Sequence, residues 1–158
     1  IVMRGNNVMK GYFEDDEATA DALEGGWFHS GDIGVMHPDG YVQLLDRAKD
    51  VVISGGENIS TVEVEQALLR HEAVADVAVV GVPDPKWGEV PKAFVVLRAG
   101  AEAHEADLIS FARGQIAHFK APKSVAFVAE LPRTTTGKVQ KFELREREWA
   151  AYDARIGS

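Results

Sequence analysis

Four short runs hold the residue types that do chemistry: Ser30-Gly31-Asp32, Asp46-Arg47-Ala48-Lys49-Asp50, Ile53-Ser54-Gly55-Gly56-Glu57-Asn58-Ile59 and Pro132-Arg133-Thr134-Thr135-Thr136-Gly137-Lys138. Asp32 brings two acceptor oxygens, Arg47 a rigid fork of donors, and Lys138 a mobile point charge on a long stem. Each run also has a plain structural reading. Gly55-Gly56 suits a tight turn between strand and helix. Asp32 after Gly31 suits a turn residue bonded to its own backbone, and most lysines are simply solvated. Four such runs in one order along one chain argue for more than turns and surface charge.

The elements that must position these runs fall into two groups. From Ile1 to about Leu45 the chain reads as short strands and turns with one small helix over Asp15 to Leu23. That helix has acidic residues in its first turn and Gly25-Gly26 beyond its end. His37-Pro38-Asp39-Gly40 is a turn signal inside an Ile33 to Leu45 hairpin. This stretch has too few apolar residues to make a domain alone.

From Asp50 onward the pattern is fuller. Val51-Val52-Ile53 reads as a strand and Ser54 to Asn58 as a loop. Ser60 with Glu63 fits a capping box for a helix to about His71, whose apolar face is Val62, Ala67, Leu68 and Leu69. Strands follow at Val74 to Val82 and Val90 to Leu97, then a helix over Glu105 to Phe119, stopped before Pro122. Ser124 to Val128 is a third strand, Leu131 to Gly137 a turn-rich loop, and a charged helix starts near Lys141. The expected fold is α+β: a small domain with helices on a small β-sheet, preceded by a β-rich fragment of another domain.

A chain of 158 residues, 46% hydrophobic and 27% charged, has the composition of a globular protein. The net charge of -8 argues against nucleic acid as a partner, since phosphate backbones want a basic field. The longest apolar runs are strand-sized, so no transmembrane segment is expected. With no cysteine there is no disulfide framework, thiolate zinc site or cysteine nucleophile. A reducing compartment is compatible with that, and the expected location is cytoplasmic.

Taken together, the four runs resemble the acyl-adenylate-forming (AMP-binding) superfamily of acyl- and aryl-CoA synthetases, luciferases and peptide-synthetase adenylation domains. The resemblance extends from Met3-Arg4-Gly5 and Lys10-Gly11-Tyr12 through Lys138. It implies the C-terminal portion of an ATP-dependent acyl-CoA synthetase, with 1–48 the tail of an N-terminal AMP-binding domain and 49–158 a mobile C-terminal domain. The reaction implied converts a carboxylic acid, ATP and coenzyme A into acyl-CoA, AMP and pyrophosphate through an acyl-adenylate. Asp32 would accept the ribose hydroxyls of ATP, Arg47 would help hold the nucleotide, and Lys138 would stabilise charge during adenylation. Lys49 would be the hinge about which the C-terminal domain swings between the two steps, or else a solvated linker lysine. After the swing, Ser54, Gly55, Gly56, Glu57 and Asn58 would face the site, the two glycines letting the pantetheine arm pass. Trp87 reads as a coenzyme A contact or as a cover over the sheet rim. Phe119 reads as a coenzyme A contact or a helix-end core residue, and Lys123 as a phosphate contact.

Two departures refine the resemblance. Luciferases and coumarate ligases carry lysine where this chain has Ile53, which is expected to be a buried strand residue; the run instead looks like fatty-acid and aryl-acid CoA synthetases. Ala121 stands where the family sometimes has arginine. The phosphate loop, the Mg2+ ligand and the acyl pocket are expected in a preceding N-terminal domain, so no metal site is expected in 1–158 and this stretch alone is expected to be inactive. The alternatives are an adenylation domain that loads a carrier protein and a non-catalytic binding module.

Overall fold

The computed structural model describes residues 1–156; Gly157 and Ser158, the end of the expected 49–158 unit, lie outside the described residues. The chain divides into two units, Ile1–Lys49 and Asp50–Ser158.

In the first unit, β1 (Val2–Met3) pairs antiparallel with β2 (Phe28–His29). Between them lies α1 (Asp16–Ala22), whose N-cap Asp15 accepts from the amide of Ala18 at 2.9 Å. Then β3 (Asp32–Met36) and β4 (Val42–Arg47) form an antiparallel hairpin with a bulge between Ile33 and Gly34. Its turn is the expected His37 to Gly40: the Gly40 amide donates to the His37 carbonyl at 2.9 Å, and Gly40 takes φ 87.

The second unit is a sheet buried on both faces. Strands β5 (Val52–Ser54), β6 (Glu57–Ile59), β7 (Val74–Asp84), β8 (Gly88–Leu97) and β9 (Ser124–Phe127) are ordered β6-β5-β8-β7, with β9 parallel to β8. Helices α2 (Thr61–Leu68) and α3 (Glu105–Gln115) cover one face, and α4 (Lys141–Ile156) the other. Alternate residues of β7 serve the two layers. Val77 and Val79 join Val64, Leu68, Leu108 and Ala112, while Ala78, Val80 and Val82 join Phe94, Leu131 and Leu144. Two-sided burial is why residues 77–82 read as a continuous apolar run instead of alternating. The parallel β8–β9 pair needs a crossover, and α3 supplies it.

Local signals explain the helix starts. Ser60 Oγ accepts from the Glu63 amide at 3.3 Å, as the cap predicts, and the Glu63 carboxylate grips Lys120 at 2.7 Å. At the start of α4, Lys141 Nζ donates to Thr61 Oγ1 at 2.8 Å and pairs with Glu65 at 2.7 Å, which ties α4 to α2.

Several expectations change. The buried face of α2 is Thr61, Val64, Ala67 and Leu68; Leu69 lies past the helix end and is exposed. Residues 54–58 are not an open loop but the turn and return strand of the β5–β6 hairpin, with Ser54 opposite Glu57. Gly55 and Gly56 take φ 59 and 89, as a two-residue primed turn demands. Ile53 is 58% exposed, not buried, because Val52 faces the core and the strand period of two turns its neighbour outward. Helix α3 stops at Gln115, so Phe119 is no helix-end core residue; it is 46% exposed.

Candidate functional site

In the first unit, Asp32 and Arg47 are cross-strand partners at the open end of the β3–β4 hairpin. Their register brings Arg47 Nε to 3.3 Å from Asp32 Oδ1. The backbone around them is fixed locally. The Asp32 amide donates to Ser30 Oγ at 3.1 Å, and the Ala48 amide to the Gly31 carbonyl at 2.8 Å. The adjacent Asp46 is buried and accepts from the Arg47 amide at 2.8 Å. Both Asp32 and Arg47 are partly open to solvent. The pair therefore places a guanidinium and a carboxylate side by side on a two-stranded ladder.

The second unit carries two further clusters. The first is the tip of the β5–β6 hairpin. Its Gly55 amide donates to the Trp87 carbonyl at 2.9 Å, and the Trp87 indole lies over Gly55 so closely that a Cβ there would meet the ring at 2.6 Å. Nothing lies near a Cβ built on Gly56. Trp87 is placed by its own turn, where its amide and that of Lys86 both donate to Asp84 Oδ1 at 2.8 Å. Lys86 Nζ sits 4.6 Å from the indole centroid. The hairpin base is held by Glu89, whose Oε2 accepts from the Ile53 amide at 3.3 Å. Trp87 thus covers the hairpin turn, with the Lys86 ammonium over its ring and the residue still 44% exposed.

The second cluster surrounds Lys138. Leu131 anchors the run in the core. Arg133 and Val139 form an isolated antiparallel bridge, and the Gln140 amide donates to the Pro132 carbonyl at 2.8 Å. Inside that bridge the Thr134 amide donates to the Lys138 carbonyl at 2.8 Å, and the Lys138 amide to Thr134 Oγ1 at 3.1 Å. Both backbone groups of Lys138 are tied, so the run is a closed loop rather than the flexible one its glycine and threonines suggest. Across it lies Arg133, with Nη1 donating to the Gly137 carbonyl at 2.5 Å and Nη2 paired to Asp76 at the start of β7. Sequence reasoning left Arg133 and Asp76 without a role; Arg133 belonged to a quoted run, but its partner is 57 positions away.

These two clusters occupy opposite ends of the second unit. Asp76 is the third residue of β7, whereas Trp87 follows its end, and the eight steps from Asp76 to Asp84 span roughly 26 Å at the usual strand rise. Phe119 and Lys123 are exposed on the segment between α3 and β9; the Lys123 amide donates to the Pro91 carbonyl at 2.8 Å. Lys49 is the last residue of the first unit and is exposed. Among the described residues no three His, Asp or Glu side chains gather as a metal site, and no helix is long and apolar enough to cross a membrane.

Residues 63–138 match the AMP-binding enzyme C-terminal domain family, and Lys138 is the last residue matched. The peroxisomal trans-cinnamate:CoA ligase of Petunia hybrida is 50% identical over 146 residues, which make up 92% of this chain and 26% of that enzyme. ATP-bound MatB from Rhodopseudomonas palustris is 43% identical with a TM-score of 0.86, over 92% of this chain and 29% of its own. The o-succinylbenzoate CoA synthetase MenE from Bacillus subtilis, solved with the acyl-adenylate intermediate OSB-AMP, is 38% identical with a TM-score of 0.83, over 90% and 29% of the two chains. This chain spans about a quarter of the length of the curated relatives it matches. Homology at these identities reaches past fold to family, and the chain belongs to the AMP-binding enzymes, carrying their C-terminal domain over residues 63–138.

Proposed function

We propose that this chain is the C-terminal part of an acid–thiol ligase that converts a carboxylic acid, ATP and coenzyme A into acyl-CoA, AMP and pyrophosphate through an acyl-adenylate. The observation that carries the proposal is the separation of the Lys138 loop and the Gly55-Gly56 hairpin by the length of β7. A single pose of the 49–158 domain presents one end or the other to a common site, which suits two successive half-reactions. In the first, Asp32 accepts the ribose hydroxyls, Arg47 holds the nucleotide, and Lys138 stabilises charge as the carboxylate attacks the α-phosphate. The Lys138 ammonium has a fixed base, because the loop backbone is closed beneath it.

In the second half-reaction the hairpin takes that place. Ser54, Gly55, Gly56, Glu57 and Asn58 form a narrow finger, and the open space at Gly56 gives the thiol arm passage close to the backbone. The exposed part of Trp87, with Phe119 and Lys123, supplies apolar and cationic contacts to coenzyme A. Lys49 is the hinge, since a dihedral change between the two units reorients all that follows. Mg2+ neutralises nucleotide phosphate charge when bound, but the described residues offer no site for it. A cytoplasmic setting goes with this reading; the Petunia relative carries a peroxisomal name, and cell fractionation of the parent decides between the two.

The test is to assay the two half-reactions separately in the intact parent enzyme. Lys138→Ala should slow adenylation by roughly two to three orders of magnitude, as for other charge-stabilising donors. Thioester formation from supplied acyl-adenylate should stay near the parent rate. Equal loss in both would mean that Lys138 does not divide the reaction as proposed.

A further inference from the structure

We infer that Arg133 and Asp76 form a positioning pair that sets the direction of Lys138 for adenylation and has no part in the thioester step. The inference rests on the role proposed for Lys138. Three observations support it. Arg133 Nη1 donates to the carbonyl of Gly137, the residue immediately before Lys138, so the guanidinium holds the peptide unit from which Lys138 departs. Arg133 Nη2 pairs with Asp76, which couples that peptide unit to the sheet. The carboxylate of Asp76 is itself fixed, because its Oδ1 accepts from the Val77 amide at 3.0 Å while Oδ2 takes the arginine. A line of direct hydrogen bonds thus runs from the β7 backbone through Asp76 and Arg133 to Gly137.

The rest of the loop does not supply this. Thr134 closes the loop on Lys138 and Gln140 ties its legs together, through bonds that lie within residues 132–140, while Leu131 anchors one leg in the core. They fix the loop's shape without aiming its tip. Arg133 is the side chain that ties the tip to an element distant in sequence. A fork geometry suits it: one nitrogen serves the carbonyl and another the carboxylate, which a lysine at 133 cannot reproduce in the same directions. The pair is partly exposed, with side chains 43% and 35% open to solvent, and ion pairs in such settings add little to stability. What such a strut does provide is direction, and a misplacement of about 1 Å in a catalytic group costs on the order of a hundredfold in rate.

The experiment compares Arg133→Ala, Asp76→Asn, the double variant and Lys138→Ala in the intact parent enzyme, with both half-reactions and thermal unfolding measured for each. Arg133→Ala should lower kcat for adenylation about ten- to a hundredfold, with KM for acid and ATP little changed. Asp76→Asn should act in the same direction more weakly, since the bond to Gly137 survives. The double variant should be no slower than Arg133→Ala, and Arg133→Lys should recover only part of the loss. Thioester formation from supplied acyl-adenylate should hold within about twofold throughout, because the hairpin that serves it stands at the far end of β7. Parent-like adenylation in Arg133→Ala beside a slow Lys138→Ala would overturn the pair's role and leave the function standing. Parent-like adenylation in Lys138→Ala would overturn the function itself, and the pair's role with it. Losses in both half-reactions with earlier unfolding would show the pair to be structural and would also sink the inference.

Discussion

The two units differ in where their apolar residues go. In residues 50–156 valine, leucine and alanine fill two layers on either side of a sheet, and every fully buried apolar residue of the described chain lies there. In residues 1–49 the largest apolar side chains face outward: Phe13 is 89% exposed and Leu44 67%, and the one residue below a tenth exposure is the carboxylate Asp46. Hairpins and a two-turn helix form in both, so local signals suffice to make elements. They do not suffice to make a core. The second unit has the material of an independent domain, and the first carries its candidate site on a two-stranded hairpin whose apolar side chains find no cover within the unit.

Separating the units should break the comparison most sharply. A 50–158 piece should unfold cooperatively on heating, and a 1–49 piece should show no cooperative transition by circular dichroism. A sharp melt of the 1–49 piece would refute the contrast. Neither piece, nor the 158-residue chain, should support ATP–pyrophosphate exchange. Next in size is core truncation. Leu68→Ala removes a fully buried side chain and should cost roughly 2–5 kcal/mol in denaturant unfolding of the chain, whereas Leu44→Ala should stay within about 0.5 kcal/mol. Smallest is the matched pair of helix caps. Ser60→Ala should cost about 1 kcal/mol, and Asp15→Ala, which removes an equivalent bond from α1, should leave the main unfolding transition in place. A shift of equal size in both would mean that the units melt together.

What the sequence made legible was local or motif-based. Ser60 and Glu63 located the start of α2, and His37 to Gly40 located a turn. What it hid was of two kinds. One was the hairpin at Gly55-Gly56, where a glycine pair soon after a short apolar run signals a primed turn as much as a loop. That misreading also misplaced Ile53, since a three-residue strand exposes its middle residue once Val52 takes the core. The other kind was long-range. Asp76 and Arg133 lie 57 positions apart, and no spacing rule pairs them. Trp87 over Gly55 is of the same sort, legible only as an aromatic in an odd place until the two turns are brought together.

The outer side of β7 has a consequence for how the protein behaves in a crowd. At eleven residues it is a long strand at the edge of its sheet, and such an edge ordinarily invites a stranger's backbone to continue the ladder. Here three of its backbone groups are taken by side chains. The Val77 amide goes to Asp76, the Val79 amide to Glu65 at 2.7 Å, and the Gly81 carbonyl accepts from the Trp149 indole at 3.3 Å. Three residues from three elements act as a hem along the border of the sheet. Groups already bonded in this way are closed to a neighbouring strand, a property that no assay of turnover would reveal.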